Sequence, residues 1–251
     1  MKPIVFLLAG AAALATAACG GENNAAGGSG GDSASSGPVT EAPRPANGDW
    51  SQAVVATHEG GFLMGNPNAE VKLVEFGSMT CPHCAEFDET GLPKLIDTYV
   101  KDGRVSFEFR NYVRDPYDIA ASLIARCNGA QSFFPLTNGL FKDQAEWIAK
   151  LQAVPPEQQQ TLQTMGPEQQ FKTVAEWAGF QSWAAMRGVP TAKSTQCLAD
   201  QDEVNRLVQM NSDATEGYNV PGTPAFLINN KLVEGASSWE RLEPEIKKAL
   251  D

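Results

Sequence analysis

The sequence predicts an α/β fold in which one sheet is interrupted by a helical insertion. Residues 71–76 and 104–113 carry strand patterns on either side of a helical stripe. Residues 115–213 read as a series of helices with no clear β signal. From Tyr218 onward the strand signals return, and a last helix closes the chain.

Composition sets the outer limits. The chain has 251 residues, enough for one domain of ordinary size with an insertion, or for two small ones. Apolar residues make up 42 % and charged residues 20 %, as in globular proteins. The net charge of -11 argues against nucleic-acid binding, which needs a basic face.

The N-terminus reads as an export signal. Met1-Lys2 is positive, and Ile4 to Ala18 is apolar and uncharged. That run is shorter than the roughly 20 residues of a membrane span. Residues 1–18 are therefore expected to be a signal peptide. Thr16-Ala17-Ala18-Cys19 resembles a bacterial lipobox, with Thr16 where Leu is usual. Cleavage there would make Cys19 a lipidated N-terminus, which is the expectation. Cleavage after a neighbouring small residue would leave no lipid. Either route leads to the periplasm or cell envelope of a bacterium, where stable disulfides are allowed. Residues 19–49 lack apolar periodicity and are expected to be a disordered tether. Its root-mean-square reach is roughly 30 Å, so a lipid on Cys19 would hold a domain just off a membrane.

The first part of the fold is assigned to residues 50–114. Order should begin near Trp50 or Val54. Gly60-Gly61 and Gly65-Asn66-Pro67-Asn68 mark turns of a strand pair, with His58 a solvated turn residue. Val71 to Phe76 is a buried strand rich in β-branched residues, and Gly77 to Thr80 is a turn. Cys81-Pro82-His83-Cys84 then opens a helix. Its stripe of Phe87, Leu92, Leu95, Ile96 and Tyr99 runs toward Lys101, with a kink at Pro93 and an end at Asp102-Gly103. Arg104 to Val113 alternates: Val105, Phe107 and Phe109 on one face, Ser106, Glu108 and Arg110 on the other. Strand, helix and strand make a right-handed crossover if the strands are parallel.

In the insertion, 115–213, Ile119, Leu123 and Cys127 share a helix face. Pro155-Pro156 and Gly166-Pro167 separate further helices, whose aromatic residues should form a helical core. The second part of the fold, 214–251, begins with the breaker cluster Asn219 to Pro224. Ala225 to Ile228 and Lys231 to Val233 flank the hairpin turn Asn229-Asn230. Ser237 and Glu240 have capping-box spacing ahead of a helix over Trp239 to Leu250.

Cys81-Pro82-His83-Cys84 carries the chemistry. Two cysteines at this spacing can close a small disulfide ring. A helix N-terminus presents unpaired N–H groups and the positive end of the macrodipole. Cys81, at the tip, is therefore favoured as thiolate, and Cys84, a turn deeper, is the buried member. Pro82 suits the first helical turn, where its missing N–H costs nothing. His83 can add a positive charge or a donor beside the Cys81 sulfur. Zinc sites also use such pairs but need four ligands, often from a second close pair. No second close pair exists, and the other histidine is His58. Redox use of Cys81 and Cys84 is the expectation, with no metal and no cofactor.

Glu-Phe-Gly-Ser-Met-Thr-Cys-Pro-His-Cys, a helical insertion, and Gly-Thr-Pro ahead of a strand and hairpin resemble the DsbA-like thiol-disulfide oxidoreductases of the thioredoxin superfamily. The resemblance covers Val54 to Leu250. It implies a thioredoxin fold interrupted by an inserted helical domain. Cys81 would be the attacking cysteine and Cys84 the resolving one. Thr223-Pro224 would form a cis-proline loop that faces the disulfide and pairs with substrate backbone; Pro221 is the competing candidate, and an ordinary turn proline at Pro224 is the alternative. Glu75 matches a buried acidic residue of the family that assists proton transfer at Cys84; a solvated edge position is the alternative. No residue is matched to the family's buried lysine. Cys127 and Cys197 are expected to pair as a structural disulfide, since some relatives carry a second pair in this domain; two buried free thiols are the alternative.

The implied function is oxidation of dithiols in reduced secreted proteins, with re-oxidation by a membrane quinone-linked thiol oxidase. A disulfide reductase or isomerase would use the same chemistry in another direction. A chaperone, or a metal carrier using Cys81, His83 and Cys84, would be a binding protein instead.

Overall fold

The computed structural model describes residues 42–251. The expected signal peptide, Cys19 and most of the expected tether lie outside the described residues. Residues 42–49 hold no helix or strand, and the first element is a 3-10 turn, Trp50–Gln52.

Six strands form one mixed sheet. They are β1 (Val54–Ala56), β2 (Phe62–Met64), β3 (Val71–Gly77), β4 (Val105–Asn111), β5 (Ala225–Ile228) and β6 (Lys231–Leu232), in the spatial order β1-β2-β4-β3-β5-β6. β3 and β4 are parallel, and the other neighbours are antiparallel. Strand β3 is central, so it must be apolar on both faces. Val71 and Leu73 join the larger core, while Val74 and Phe76 join a smaller cluster with Val220, Ala225 and Leu227. β4 is buried along all seven residues, so its polar face is not a solvent face. Glu108 and Arg110 satisfy each other there through two hydrogen bonds of 2.8 and 2.9 Å. The β5–β6 turn uses Asn229 and Asn230 at φ of 49° and 65°, the left-handed region that two-residue hairpins need.

Helix α1 (Pro82–Thr90) leads from β3 toward β4. The helix expected to run on toward Lys101 is instead broken at Gly91. It continues as α2 (Leu92–Leu95) and a π-helical stretch, Ile96–Val100. Pro93 lacks the N–H needed to carry the ladder through. Phe87 turns inward from α1 and its ring centroid lies 4.7 Å from that of Phe226 on β5.

Between β4 and β5 lie α3 (Pro116–Arg126), α4 (Ala130–Lys142), α5 (Gln144–Gln152), α6 (Pro156–Leu162), α7 (Pro167–Ala178), α8 (Phe180–Ala185), α9 (Thr191–Cys197) and α10 (Gln201–Ser212). Pro156 and Pro167 start helices, as the breaker pairs predict. The helical character extends through Asp213–Gly217, four residues past the expected boundary. Arg126 ties this region to the sheet, donating to Asn111 Oδ1 at 3.0 Å and to the Gly60 carbonyl at 2.8 Å. The chain ends in α11 (Trp239–Leu250). Its N-cap is Ser238 and not Ser237, and the Ser238 side chain makes no capping bond. Glu240 then falls one position too early for a capping box. Val233 lies just outside β6.

Candidate active site

β3 delivers the chain to Gly77, where a Cβ would overlap the Phe109 ring. The loop Ser78–Thr80 follows, and Cys81 is the N-cap of α1 with Pro82 in its first turn. The Cys81 N–H donates back to the Ser78 carbonyl at 3.1 Å, and the Cys81 carbonyl accepts from the Ala85 N–H at 3.2 Å. These bonds place Cys81 at the helix tip and Cys84 within the first turn. Both are free thiols, with 4 % and 0 % of their surface exposed.

The two thiols have opposite acidities. Cys81 is pulled down from 9.0 to about 5, chiefly by a hydrogen bond from the Cys84 side chain. Burial opposes the shift, and hydrogen bonding by the Thr223 side chain and the backbone of Cys84 and His83 adds to it. Cys84 is pushed well above the ordinary thiol value by burial, by its hydrogen bond to Cys81, and by the charges of Glu75 and Cys81. One sulfur is thus the thiolate, and the other keeps its proton and donates it.

Glu75 is 2 % exposed, so it is not a solvated edge residue. It shares the inner face of β3 with Leu73, by the two-residue period of a strand. Its Oε1 has no hydrogen-bond partner. Burial, then the charges of Asp88 and Cys81, push its pKa well up. Its charge acts on Cys84 in turn.

The Thr223–Pro224 peptide is cis. The Cys81 sulfur lies 3.3 Å from the Thr223 carbonyl oxygen, so this loop does face the cysteine pair. His83 departs from expectation. Its side chain is exposed and Nδ1 lies 3.3 Å from Glu86 Oε2. The exposed second position of the helix turns the imidazole to solvent, and it is the His83 backbone that serves Cys81. Among the described residues no group of three or more His, Cys, Asp or Glu is placed to hold a metal ion.

Three further residues belong to the site's surroundings. Asp88, on α1, accepts from Asn138 Nδ2 of α4 at 2.6 Å, and burial raises its pKa to about 6. Asp118, on α3, is fully buried under the Ser78–Thr80 loop. It accepts from Ser78 Oγ at 2.5 Å and from the Met79 N–H at 2.9 Å. Gln144, the first residue of α5, donates from Nε2 to the Met79 carbonyl at 2.8 Å and the Cys81 carbonyl at 3.0 Å. In sequence, these residues look like polar positions on amphipathic helices. Packing of the insertion against α1 buries Asp88, and its packing against the loop turns Asp118 and Gln144 inward.

A cavity of about 550 Å³ lies beside the loop, lined by Thr80, Arg114, Tyr117, Trp147 and Leu151 among others. A second, of about 680 Å³, is lined in part by Gly222, Thr223, Pro224 and Val233. Cys127 and Cys197 are joined in a disulfide with their Cα atoms 5.5 Å apart. They sit at the C-terminal ends of α3 and α9.

The thioredoxin family matches residues 57–248. A putative protein-disulfide oxidoreductase of Rickettsia bellii is 25 % identical over 194 residues, which are 77 % of this chain and 66 % of that protein. The chain spans less than two thirds of the length of this and two other Rickettsia relatives. The crystal structure of a protein-disulfide isomerase from Novosphingobium aromaticivorans is 34 % identical, with a TM-score of 0.72, covering 75 % of this chain and 96 % of that one. Wolbachia pipientis alpha-DsbA1 is 20 % identical, with a TM-score of 0.60, covering 75 % and 89 %, and likewise shares the fold. The fold is therefore the expected thioredoxin fold interrupted by helices.

Proposed function

Since the chain belongs to the DsbA-like thiol-disulfide oxidoreductases of the thioredoxin superfamily, we propose that it oxidises dithiols of reduced secreted proteins through a Cys81–Cys84 disulfide. The observation that carries this reading is the split in acidity, with Cys81 pulled down to about 5 while Cys84 is pushed up. A stabilised thiolate favours the reduced form, and that makes the disulfide an oxidant.

The steps balance as follows. A substrate thiolate attacks Cys81 Sγ and the Cys81–Cys84 bond breaks. Cys84 leaves with the electron pair and takes a proton, for which the protonated Glu75 is the donor. A second substrate thiolate attacks the substrate sulfur of the mixed disulfide, and Cys81 departs as thiolate. The substrate dithiol gives two electrons to the cysteine pair and two protons to solvent, one of which returns to Glu75 to replace the proton passed to Cys84. The two cysteines carry the redox equivalents without a cofactor. The Thr223–Pro224 loop holds substrate backbone beside Cys81, and Pro82 and His83 supply the exposed rim of the helix tip. Cys127–Cys197 has a structural role.

The setting follows from the same reading: a protein exported to the periplasm or cell envelope, held to a membrane by a lipid on Cys19. A membrane quinone-linked thiol oxidase restores the disulfide.

The deciding experiment is the reduction potential of the Cys81–Cys84 couple. A value well above the roughly -270 mV of thioredoxin, toward the roughly -120 mV of DsbA, is expected. A value near thioredoxin's would replace the oxidase by a reductase. Refolding of a reduced substrate that proceeds equally with Cys81→Ala would make the protein a chaperone. Stoichiometric metal in the reduced protein would make it a carrier.

A further inference from the structure

The Ser78–Thr80 loop has no regular structure of its own, yet it must hold Cys81 so that its sulfur meets the backbone of His83 and Cys84. Two buried polar side chains from the insertion converge on it. Met79 is gripped at both ends: its N–H donates to Asp118 Oδ1 and its carbonyl accepts from Gln144 Nε2. The Cys81 carbonyl has two donors, the Ala85 N–H and Gln144 Nε2. A carbonyl oxygen has two lone pairs, so this peptide plane is held from two directions. Neither Asp118 nor Gln144 hydrogen-bonds a cysteine sulfur. Burying a carboxyl and an amide costs free energy unless their hydrogen bonds are made. The hydrogen bonds of these two side chains all end on residues 78–81.

We propose that Asp118 and Gln144 are positioning residues that set the oxidising strength of the Cys81–Cys84 couple by fixing the Cys81 backbone from the helical insertion. The proposal rests on the oxidant reading above. A freed Cys81 backbone would let the sulfur drift from the donors that stabilise its thiolate. The insertion would then tune the redox pair without touching either sulfur.

The test titrates the ultraviolet absorbance of the Cys81 thiolate in the reduced full chain and measures its equilibrium constant with glutathione. Gln144→Met keeps the side-chain volume and removes both donors. It should raise the titration midpoint by about one unit and make the disulfide about tenfold less oxidising, which is about 30 mV. Asp118→Ala should act in the same direction. Asp118→Asn keeps an acceptor for the Met79 N–H and should recover most of the wild-type value. A merely structural role would lower the unfolding midpoints of the oxidised and reduced forms alike and leave the titration and the equilibrium constant unchanged; that overturns the proposal. Failure of all three variants to fold overturns it too. If wild-type Cys81 itself titrates near the roughly 8.5 of a free thiol, the oxidant reading has failed. A low wild-type value with unmoved variants defeats only the positioning role.

Discussion

The two cysteine pairs of this protein sit at opposite ends of helices. Cys81 and Cys84 occupy the N-cap and first turn of α1, while Cys127 and Cys197 close the C-terminal ends of α3 and α9. A helix N-terminus favours a thiolate, and a C-terminus disfavours one. The first pair is therefore comfortable as a dithiol holding one negative charge. The second gains nothing of the kind from reduction, and its disulfide closes a loop of 70 residues. The same residue type becomes a reagent in one place and a staple in the other. The difference lies in which backbone groups face the sulfur.

Exchanging the roles experimentally is the severest test. Cys81→Ala is expected to reduce dithiol oxidation to the uncatalysed background in a refolding assay, whereas Cys127→Ala with Cys197→Ala should leave the rate within a few-fold. Comparable losses from both changes would erase the contrast. In denaturant the order reverses. The Cys127→Ala, Cys197→Ala double variant should lose about 4 kcal/mol of stability by the loop-closure argument. A loss below about 1 kcal/mol would mean that the second pair is no staple.

A pH series sharpens the first half of the comparison. Cys81 titrates at about 5 in the folded chain against an ordinary 9.0. Its pKa is lowered on folding, so the thiolate's contribution to the reduced form is complete above about 9. It is lost as the pH falls through about 5. Above pH 5 the couple takes up one proton per two electrons, since Cys84 stays protonated. Its potential should fall by about 30 mV per pH unit there, and by about 60 mV per unit below pH 5. A single slope across pH 4 to 8 would show that Cys81 does not ionise in this range. The smallest change is Thr223→Val, which removes a hydroxyl that helps hold the Cys81 thiolate but keeps the carbonyl 3.3 Å from its sulfur. A hydrogen bond to a charged group is worth about 1.5–3 kcal/mol, so the Cys81 midpoint should rise by about one to two units. An unmoved midpoint would leave the backbone donors and Cys84 as the whole cause.

Much of the site could be read along the chain because its chemistry is local. Cys81 and Cys84 lie on one helical turn, and a strand, a turn and Pro82 announce that turn. The β5–β6 hairpin was legible for a similar reason: Asn229-Asn230 and the flanking apolar residues form a short-range signal. His83 was placed beside the sulfur by nearness in sequence, but the second position of an exposed helical turn points to solvent. The break at Gly91 was visible only as a kink at Pro93. Asp88, Asp118 and Gln144 carried no signal, because a polar residue on an amphipathic helix looks the same whether it meets water or a buried loop.

The sequence by itself determined the α/β alternation with its helical interruption, the reactive pair, and the likeness to a thiol-disulfide oxidoreductase family. The first two depend on periodicity, breakers and spacing, which are properties of neighbours in the chain, and the likeness rests on the motifs matched in order. Only the tertiary structure decided that Glu75 is buried with Oε1 unpartnered, and that Thr223 reaches Cys81 across 142 positions. It also decided that two helices of the insertion grip the loop before Cys81. Burial and long-range hydrogen bonds belong to the packed chain, and they set the acidity of each sulfur.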